Sequence, residues 1–320
     1  MANPGLSEIV TTTLRARASD FADNMSNHNA LWNRINNSGN LIEVSGGRTI
    51  VTNLEYAETS TFQFYSGYEV LDISPSDVLT AAEFNWKQAA VNVTWSGLEA
   101  DVQNAGEEAL FSLTAKRIEV ARKTMANNLS AGLYSDGTGS AGKTIGGLQL
   151  LVADDPTTGT VGGIDRSTSD GSFWRNQEVS TAAVTSTNIK TQMNTLWLEC
   201  VRDADKPNLI VMDNTFYAAY WASLQEQQRF TSDDMASAGF ESLTYKASTP
   251  VVFDSGGGCP ASTAYFLNTD FIMLDVSSRR NFTPPEEKVS LNQDATVVPI
   301  LWAGNMTLSN GSLQGVLKNA

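Results

Sequence analysis

Residues Gly137 to Thr144 read G-T-G-S-A-G-K-T, a match to the phosphate-loop pattern G-x-x-x-x-G-K-[ST]. In such a loop, backbone amides and the N-terminus of the next helix surround the phosphates of a nucleotide. Further on, Leu209 to Asp213 read LIVMD, the form of an apolar strand ending in a magnesium-holding carboxylate. Together they raise a nucleoside triphosphate hydrolase as one reading of the chain. That chemistry requires a strand to deliver the loop and a helix to begin at Lys143-Thr144. Here a long helical pattern precedes the loop, and two glycines and the strand-like run GLQLLV follow it. We therefore assign the match to composition: a flexible Gly/Ser loop with a solvated Lys143. Asp213 then reads as a cap for the helical text that follows.

Other chemistry is equally thin. Asp154-Asp155, Asp233-Asp234 and Glu286-Glu287 pair carboxylates, as glycoside hydrolysis does, but stand in loop-like text and read as surface acids. Cys259, in SGGGCP, has no activating base in view. His28 is the only histidine and stands in the polar stretch MSNHN, so it reads as a solvated surface residue. Histidine metal clusters are thereby excluded, and a Ser–His–Asp triad would have to use His28. Cys200 and Cys259 are the only cysteines, too few for a disulfide framework, and read as buried thiols in a reducing compartment. The residues nominate no catalytic group, no cofactor site and no metal site, so a protein without enzymatic activity is expected.

The bulk numbers narrow the class further. The chain has 320 residues, 35 acidic against 21 basic, and a net charge of −14. That balance argues against gripping nucleic acid phosphates as the main task. Hydrophobic residues make up 41%, with 7 Trp, 8 Tyr and 13 Phe, enough for a substantial core. No apolar run approaches the roughly 20 residues that span a bilayer. The N-terminus lacks the basic start and apolar middle of a signal peptide. A soluble protein made in the cytoplasm is expected.

The elements that must position these residues follow from periodicity. Residues 1–47 are polar with sparse apolar positions and predict short helices in an arm without a core of its own. Residues 48–97 are rich in β-branched and aromatic residues and predict a long hairpin. Its distal part holds Phe62, Phe64, Tyr65 and Tyr68, which we take as candidates for contact with another subunit. Apolar residues recur every three or four positions over about 98–131, predicting a helix too long for a typical globule. From residue 187 a helix, the buried strand PNLIVMD, a second helix and the strands TPVVFDS and TAYFLNTDFIMLDV predict an α/β unit. The last stretch, ATVVPILWAGNMTLSNGSLQGVLKNA, predicts two strands around a turn at Ser309 to Gly311.

This order resembles the major capsid proteins of tailed bacteriophages, the Hong Kong 97-like fold. YEVLDISPSDVLTAAEFNWKQAAVNVTWSGLE resembles the extended E-loop hairpin running into the spine helix. PNLIVMDNTFYAAYWASLQEQQRFTSDDMASAGFESLTYKASTPVVFDS resembles an axial-domain core, and YFLNTDFIMLD and PILWAGNMTLSNGSLQGVL its closing part. The resemblance implies an α+β fold with an N-terminal arm (1–47), an E-loop hairpin and its base (48–97), and a peripheral domain (98–186) carrying the spine helix. An axial domain (187–285) and a return to the peripheral domain (286–320) complete it. It further implies pentamers and hexamers of the chain itself, tiling an icosahedral shell around double-stranded DNA in a virion assembled in the host cytoplasm. The partners it implies are a scaffolding protein, a portal protein and optional decoration proteins; no membrane and no sequence-specific DNA contact are implied. Some relatives begin with a scaffolding segment that is later removed. The hairpin here starts near residue 48, so a separate scaffolding protein is expected. Lys87, the only lysine before the spine, is expected on the returning strand of the hairpin and not at its tip.

Overall fold

The computed structural model describes residues 29–99, 113–224, 243–246, 248–254, 256–283, 288–289 and 293–319. The arm before Asn29, His28, the first part of the expected spine helix, Asp233-Asp234 and Glu286-Glu287 lie outside the described residues.

The chain enters through helix α1 (Ala30–Asn37), strand β1 (Leu41–Val44), and strands β2 (Ile50–Glu55) and β3 (Leu79–Phe84). Strand β4 (Lys87–Ser96) and helix α2 (Leu113–Gly132) follow. In α2, Ala121, Met125 and Leu129 are buried at intervals of four, a single apolar stripe laid on the sheet. Its described part is about 30 Å long. The run LQLLV, expected as a strand, is instead a one-turn helix, α3 (Leu148–Leu151). Gly147 sets this choice: a Cβ there would lie 2.3 Å from the carbonyl oxygen of Leu133. Without one, Leu148 N–H reaches that carbonyl at 2.7 Å, and the run folds onto the end of α2. A short apolar run does not reveal its own periodicity.

Two small strands, β5 (Thr160–Val161) and β6 (Ile164–Asp165), precede β7 (Gln177–Thr181) and helix α4 (Ile189–Cys200). Then come β8 (Leu209–Met212), helix α5 (Asn214–Ser223), β9 (Leu243–Tyr245), β10 (Thr249–Phe253) and β11 (Thr263–Leu267). Strands β12 (Ile272–Thr283), β13 (Lys288–Val289), β14 (Ala295–Leu308) and β15 (Gly315–Asn319) close the chain.

Among the described residues these strands form two main sheets. One runs β1-β12-β14-β13, with β4 on the free side of β14. The other runs β7-β15-β11-β8-β10-β9. In the second sheet, Leu209, Val211, Tyr265, Leu267 and Val316 face a core shared with α2 and the first sheet. Ile210, Met212, Ala264, Phe266 and Leu317 face the other way, under α4 and α5. Burial on both sides explains the unbroken apolar text of LIVM.

Three expected boundaries differ. The last two strands do flank a turn, but they do not pair: β14 stays in the first sheet while β15 crosses to the second, beside β11 and β7. Residues 315–319 therefore do not return to the sheet that holds β14, and β7 belongs with them. Strand β12, expected with the axial unit, pairs with β14. Third, the hairpin is shorter than expected. Only β2 and β3 pair with each other, while β4 turns away at Asn85-Trp86 and pairs with β14 from Lys87↔Gly304 to Ser96↔Ala295.

A buried polar cluster joins the parts. Asn29 caps α1 by accepting from Trp32 N–H at 3.0 Å, and its amide donates to the carbonyls of Ser130 and Gly257. Beside it, the Tyr134 hydroxyl donates to the carboxylate of Asp254. Burial drives the Asp254 carboxyl up to about 6, a rise opposed by hydrogen bonds from Tyr134 and from backbone amides, including that of Ala30. The unfolded carboxyl titrates near 3.8, so folding is unpenalised below that value and loses stability as pH rises through about 6. The full penalty is on the order of 3 kcal/mol. Urea unfolding of the subunit at pH 5 and pH 7.5, in wild type and Asp254→Asn, checks this. The wild type gains stability over the variant at pH 5; an identical pH response in the two proteins contradicts it.

Candidate functional site

The glycine-rich loop has no amides to offer a phosphate. Asp136 accepts from Thr138 N–H at 2.9 Å and from its hydroxyl at 2.7 Å. These bonds, the backbone one first, hold the Asp136 carboxyl below its ordinary value. Gly137 N–H donates to the Ser135 hydroxyl, Gly142 N–H to the Thr138 carbonyl, and Lys143 and Thr144 N–H both to the Gly139 carbonyl. Ser140, Ala141 and Gly142 are all left-handed, with φ of 51°, 59° and 77°. Three such residues in a row curl the chain into a closed turn, and the next helix starts at Leu148, past the Lys-Thr. The second half of the apparent motif fails equally. Asp213 caps α5, accepting from Phe216 N–H at 2.9 Å with one oxygen and from Ser262 N–H at 2.7 Å with the other.

The remaining candidates resolve into structure. Asp155 closes a turn on Thr157, which lowers its carboxyl's pKa chiefly through the Thr157 hydroxyl. Cys200 and Cys259 are buried free thiols. Burial first, then the nearby charges of Asp254 and Asp213, pushes the Cys259 thiol well above its ordinary value, the opposite of activation. Among the described residues no group of three His, Cys, Asp or Glu could hold a metal ion, and no helix is long and apolar enough to cross a membrane.

The hairpin loop is a different kind of site. Between β2 and β3, residues 56–78 project as one irregular loop, its neck closed by Ser60 and Ser76, whose hydroxyls lie 3.0 Å apart. The structure brings the four aromatic candidates together there. Phe62 and Phe64 stack edge to face at 5.2 Å, and Gln63 donates across the loop to the Val70 carbonyl. Gly67, left-handed at φ 55°, makes the turn. Phe64 is 92% exposed and Tyr68 fully so; Val70 and Ile73, which the sequence reading passed over, are each 92% exposed. Their β-branched side chains carried no signal apart from ordinary strand text.

Lys87 is not on the hairpin at all. It opens β4, and its ammonium donates to the Gly142 carbonyl, tying β4 to the glycine-rich loop. Two further residues escaped the sequence reading. Asn305, in β14, accepts from Gly146 N–H at 3.0 Å and donates to the Asn85 carbonyl at 2.9 Å, pinning that loop and the hairpin base together. Arg166, fully buried, donates to the carbonyls of Leu150 and Leu151 and so caps α3. A lone Asn or Arg in loop-like text gives no sign of such a role.

Lys143→Ala is expected to leave the unfolding free energy within about 0.5 kcal/mol of wild type, because an exposed loop lysine contributes little. Wild type is expected not to bind a fluorescent ATP analogue. Saturable binding that the substitution abolishes contradicts the loop geometry.

No family model and no curated protein matches the chain by sequence. Solved structures do match over nearly its whole length. The capsid of cyanophage A-1(L) has a TM-score of 0.68 at 13% identity, covering 94% of this chain and 95% of that one. The capsid structure of Mycobacterium phage Bobi has a TM-score of 0.56 at 12% identity, covering 98% of each chain. The encapsulin of a holo-SrpI complex from Synechococcus elongatus has a TM-score of 0.57 at 8% identity, covering 95% and 94%. The hairpin, the described spine and the two sheets joined by the crossing from β14 to β15 thus belong to one known α+β architecture, the Hong Kong 97-like fold of tailed-phage capsid proteins.

Proposed function

We propose that this chain is a major capsid protein that self-assembles, as pentamers and hexamers, into an icosahedral shell enclosing double-stranded DNA. The observation that carries this reading is the hairpin loop. It holds six large apolar residues, Phe62, Phe64, Tyr65, Tyr68, Val70 and Ile73, in water with no part of their own chain over them. A soluble monomer rarely keeps such a patch uncovered. Fully burying one such side chain is worth roughly 1.5–3 kcal/mol, and a closed shell repeats that gain at every subunit. The net charge of −14 suits a wall that encloses DNA without sequence-specific contact. In this reading the chain performs no catalysis. A separate scaffolding protein and a portal protein are its assembly partners, decoration proteins are optional, and the virion is its destination.

Expression of the full chain, with electron microscopy of the purified product, tests the proposal. Closed shells or capsomers are expected; a monomer under all ionic conditions sinks it. A similar fold serves the encapsulin, so the contents are a second readout: particles recovered from phage-producing cells are expected to hold nuclease-protected DNA, not protein cargo.

Two further outcomes follow from the loop and from Lys87. Phe64→Ala with Tyr68→Ala leaves the subunit folded, because neither ring packs on its own chain. The pair of truncations removes a few kcal/mol of interface per copy. Circular dichroism is then unchanged while shell yield collapses; normal shells count against the loop as an interface. The second outcome concerns covalent locking. Lys87 lies at the hairpin base and bonds Gly142, so a lysine-based weld through the loop is not expected. Mature particles boiled in detergent should run as a single band at the monomer mass; a ladder lost in Lys87→Ala is the opposing result.

A further inference from the structure

We infer that the hairpin loop of one subunit docks in a groove on a second copy of the chain, formed by α2, β4 and the glycine-rich loop. The inference rests on the shell reading above. Strand β4 points Lys87, Ala89, Val91, Val93 and Trp95 to one face. Val93 and Trp95 are buried, but Ala89 and Val91 remain only partly covered. The small side chain of Ala89 leaves space between strand and helix, and the glycine-rich loop walls its far side. The result is a groove of about 390 Å³. Its floor is Ala89, Val91, Met125, Leu129, Ile145 and Trp302; Lys87 and Lys143 stand at its rim, and no carboxylate lines it.

A surface of this kind is selective in a chain with 35 acidic and 21 basic residues. The hairpin loop is its complement. Residues 56–78 hold the exposed aromatics, four acids (Glu58, Glu69, Asp72, Asp77) and no lysine or arginine. An apolar, fourfold-negative loop meets repulsion over much of an acidic subunit. The groove offers it an apolar floor and two cations, and opposite charge steers and registers such contacts. The loop cannot reach the groove of its own chain. The six residues of β3 set its neck about 20 Å from the start of β4. The hairpin base is also held elsewhere, by Glu83 N–H on the Gly162 carbonyl at 2.9 Å and by the Tyr56 ring 5.3 Å from that of Phe173. The occupant is therefore a second copy. On this account the G-x-x-x-x-G-K-T text is a wall of the docking groove, with its lysine at the mouth.

Photo-crosslinking from the loop tests this. The full chain carrying Phe64→p-benzoylphenylalanine is mixed with isotopically heavy subunits, assembled and irradiated, and the adducts are mapped by mass spectrometry. Heavy–light adducts on peptides spanning 87–91, 125–129 and 140–145 are expected. Lys87→Glu with Lys143→Glu, or Lys143→Glu alone if the double variant does not fold, should cut their yield at least tenfold with unchanged circular dichroism. Glu69→Lys with Asp72→Lys in the same chain should restore it. Normal shells with adducts on another surface, or with adducts within one chain, overturn the groove and leave the shell reading intact. Failure of the unsubstituted chain to form any shell overturns the shell reading, and this inference with it.

Discussion

Strand β14 has two edges, and the molecule is hung on both. Along one edge, residues Ala295 to Gly304 pair with β4, so the hairpin base is fixed by text more than 200 positions later in the chain. Along the other, Gly304 to Leu308 pair with β12, and Thr296 and Val297 pair with β13. Pro299, which has no N–H to give, falls in the gap between these two partners. Gly304 sits where the sheet is tightest, since a Cβ there would lie 2.5 Å from the Asp275 carbonyl oxygen. Every part that acts outward, the hairpin above all, takes its direction from this strand. The same strand then leaves its sheet at Ser309 and delivers β15 to the other one, so the two sheets share a single chain end.

Buried polar groups do the joining where apolar packing cannot specify one arrangement. A hydrophobic interface tolerates sliding, whereas a buried donor without its acceptor costs about 1–3 kcal/mol. Asn29 links the start of α1 to the end of α2 and to the loop after β10; Asn305 links the hairpin base to the glycine-rich loop; Arg166 closes α3. The Thr307 hydroxyl donates to Asp275 at 2.6 Å between β14 and β12, beside a carboxyl that burial raises. These bonds give an acidic chain a fixed interior geometry while its surface stays repulsive. The hairpin loop combines apolar area with negative charge, and this pairing lets a highly charged subunit be both soluble alone and adhesive toward one chosen surface.

Much of the architecture was legible in the text because it depends on local pattern. The four-residue spacing of Ala121, Met125 and Leu129, the unbroken LIVM, the capping Asp213 and the aromatics beside Gly67 each announce an element through side-chain periodicity or backbone permission. The failure of the phosphate loop was legible too, since nothing around it supplied the strand and helix that the chemistry needs. Other features were not legible. LQLLV became a helix because Gly147 lets the end of α2 bond to it; β4 abandoned the hairpin because β14 offered a full ladder; β15 changed sheets. Strand text states which residues are extended and which face is apolar, but pairing is decided by contacts far apart in sequence.

The sequence by itself therefore determined the order of helices and strands, the acidic balance, the lack of histidine and cysteine chemistry, and the presence of an aromatic loop. Only the tertiary structure decided that Lys87 belongs to the sheet and not to the hairpin, that the amides of the glycine-rich loop are spent on one another, and that Asp254 is buried among donors. It also decided that Ala89 leaves a groove beside two lysines. The physical reason is common to all four. A side chain's role depends on what desolvates it and what lies within hydrogen-bond reach, and both are properties of the packed chain and not of the residue or its neighbours in the text.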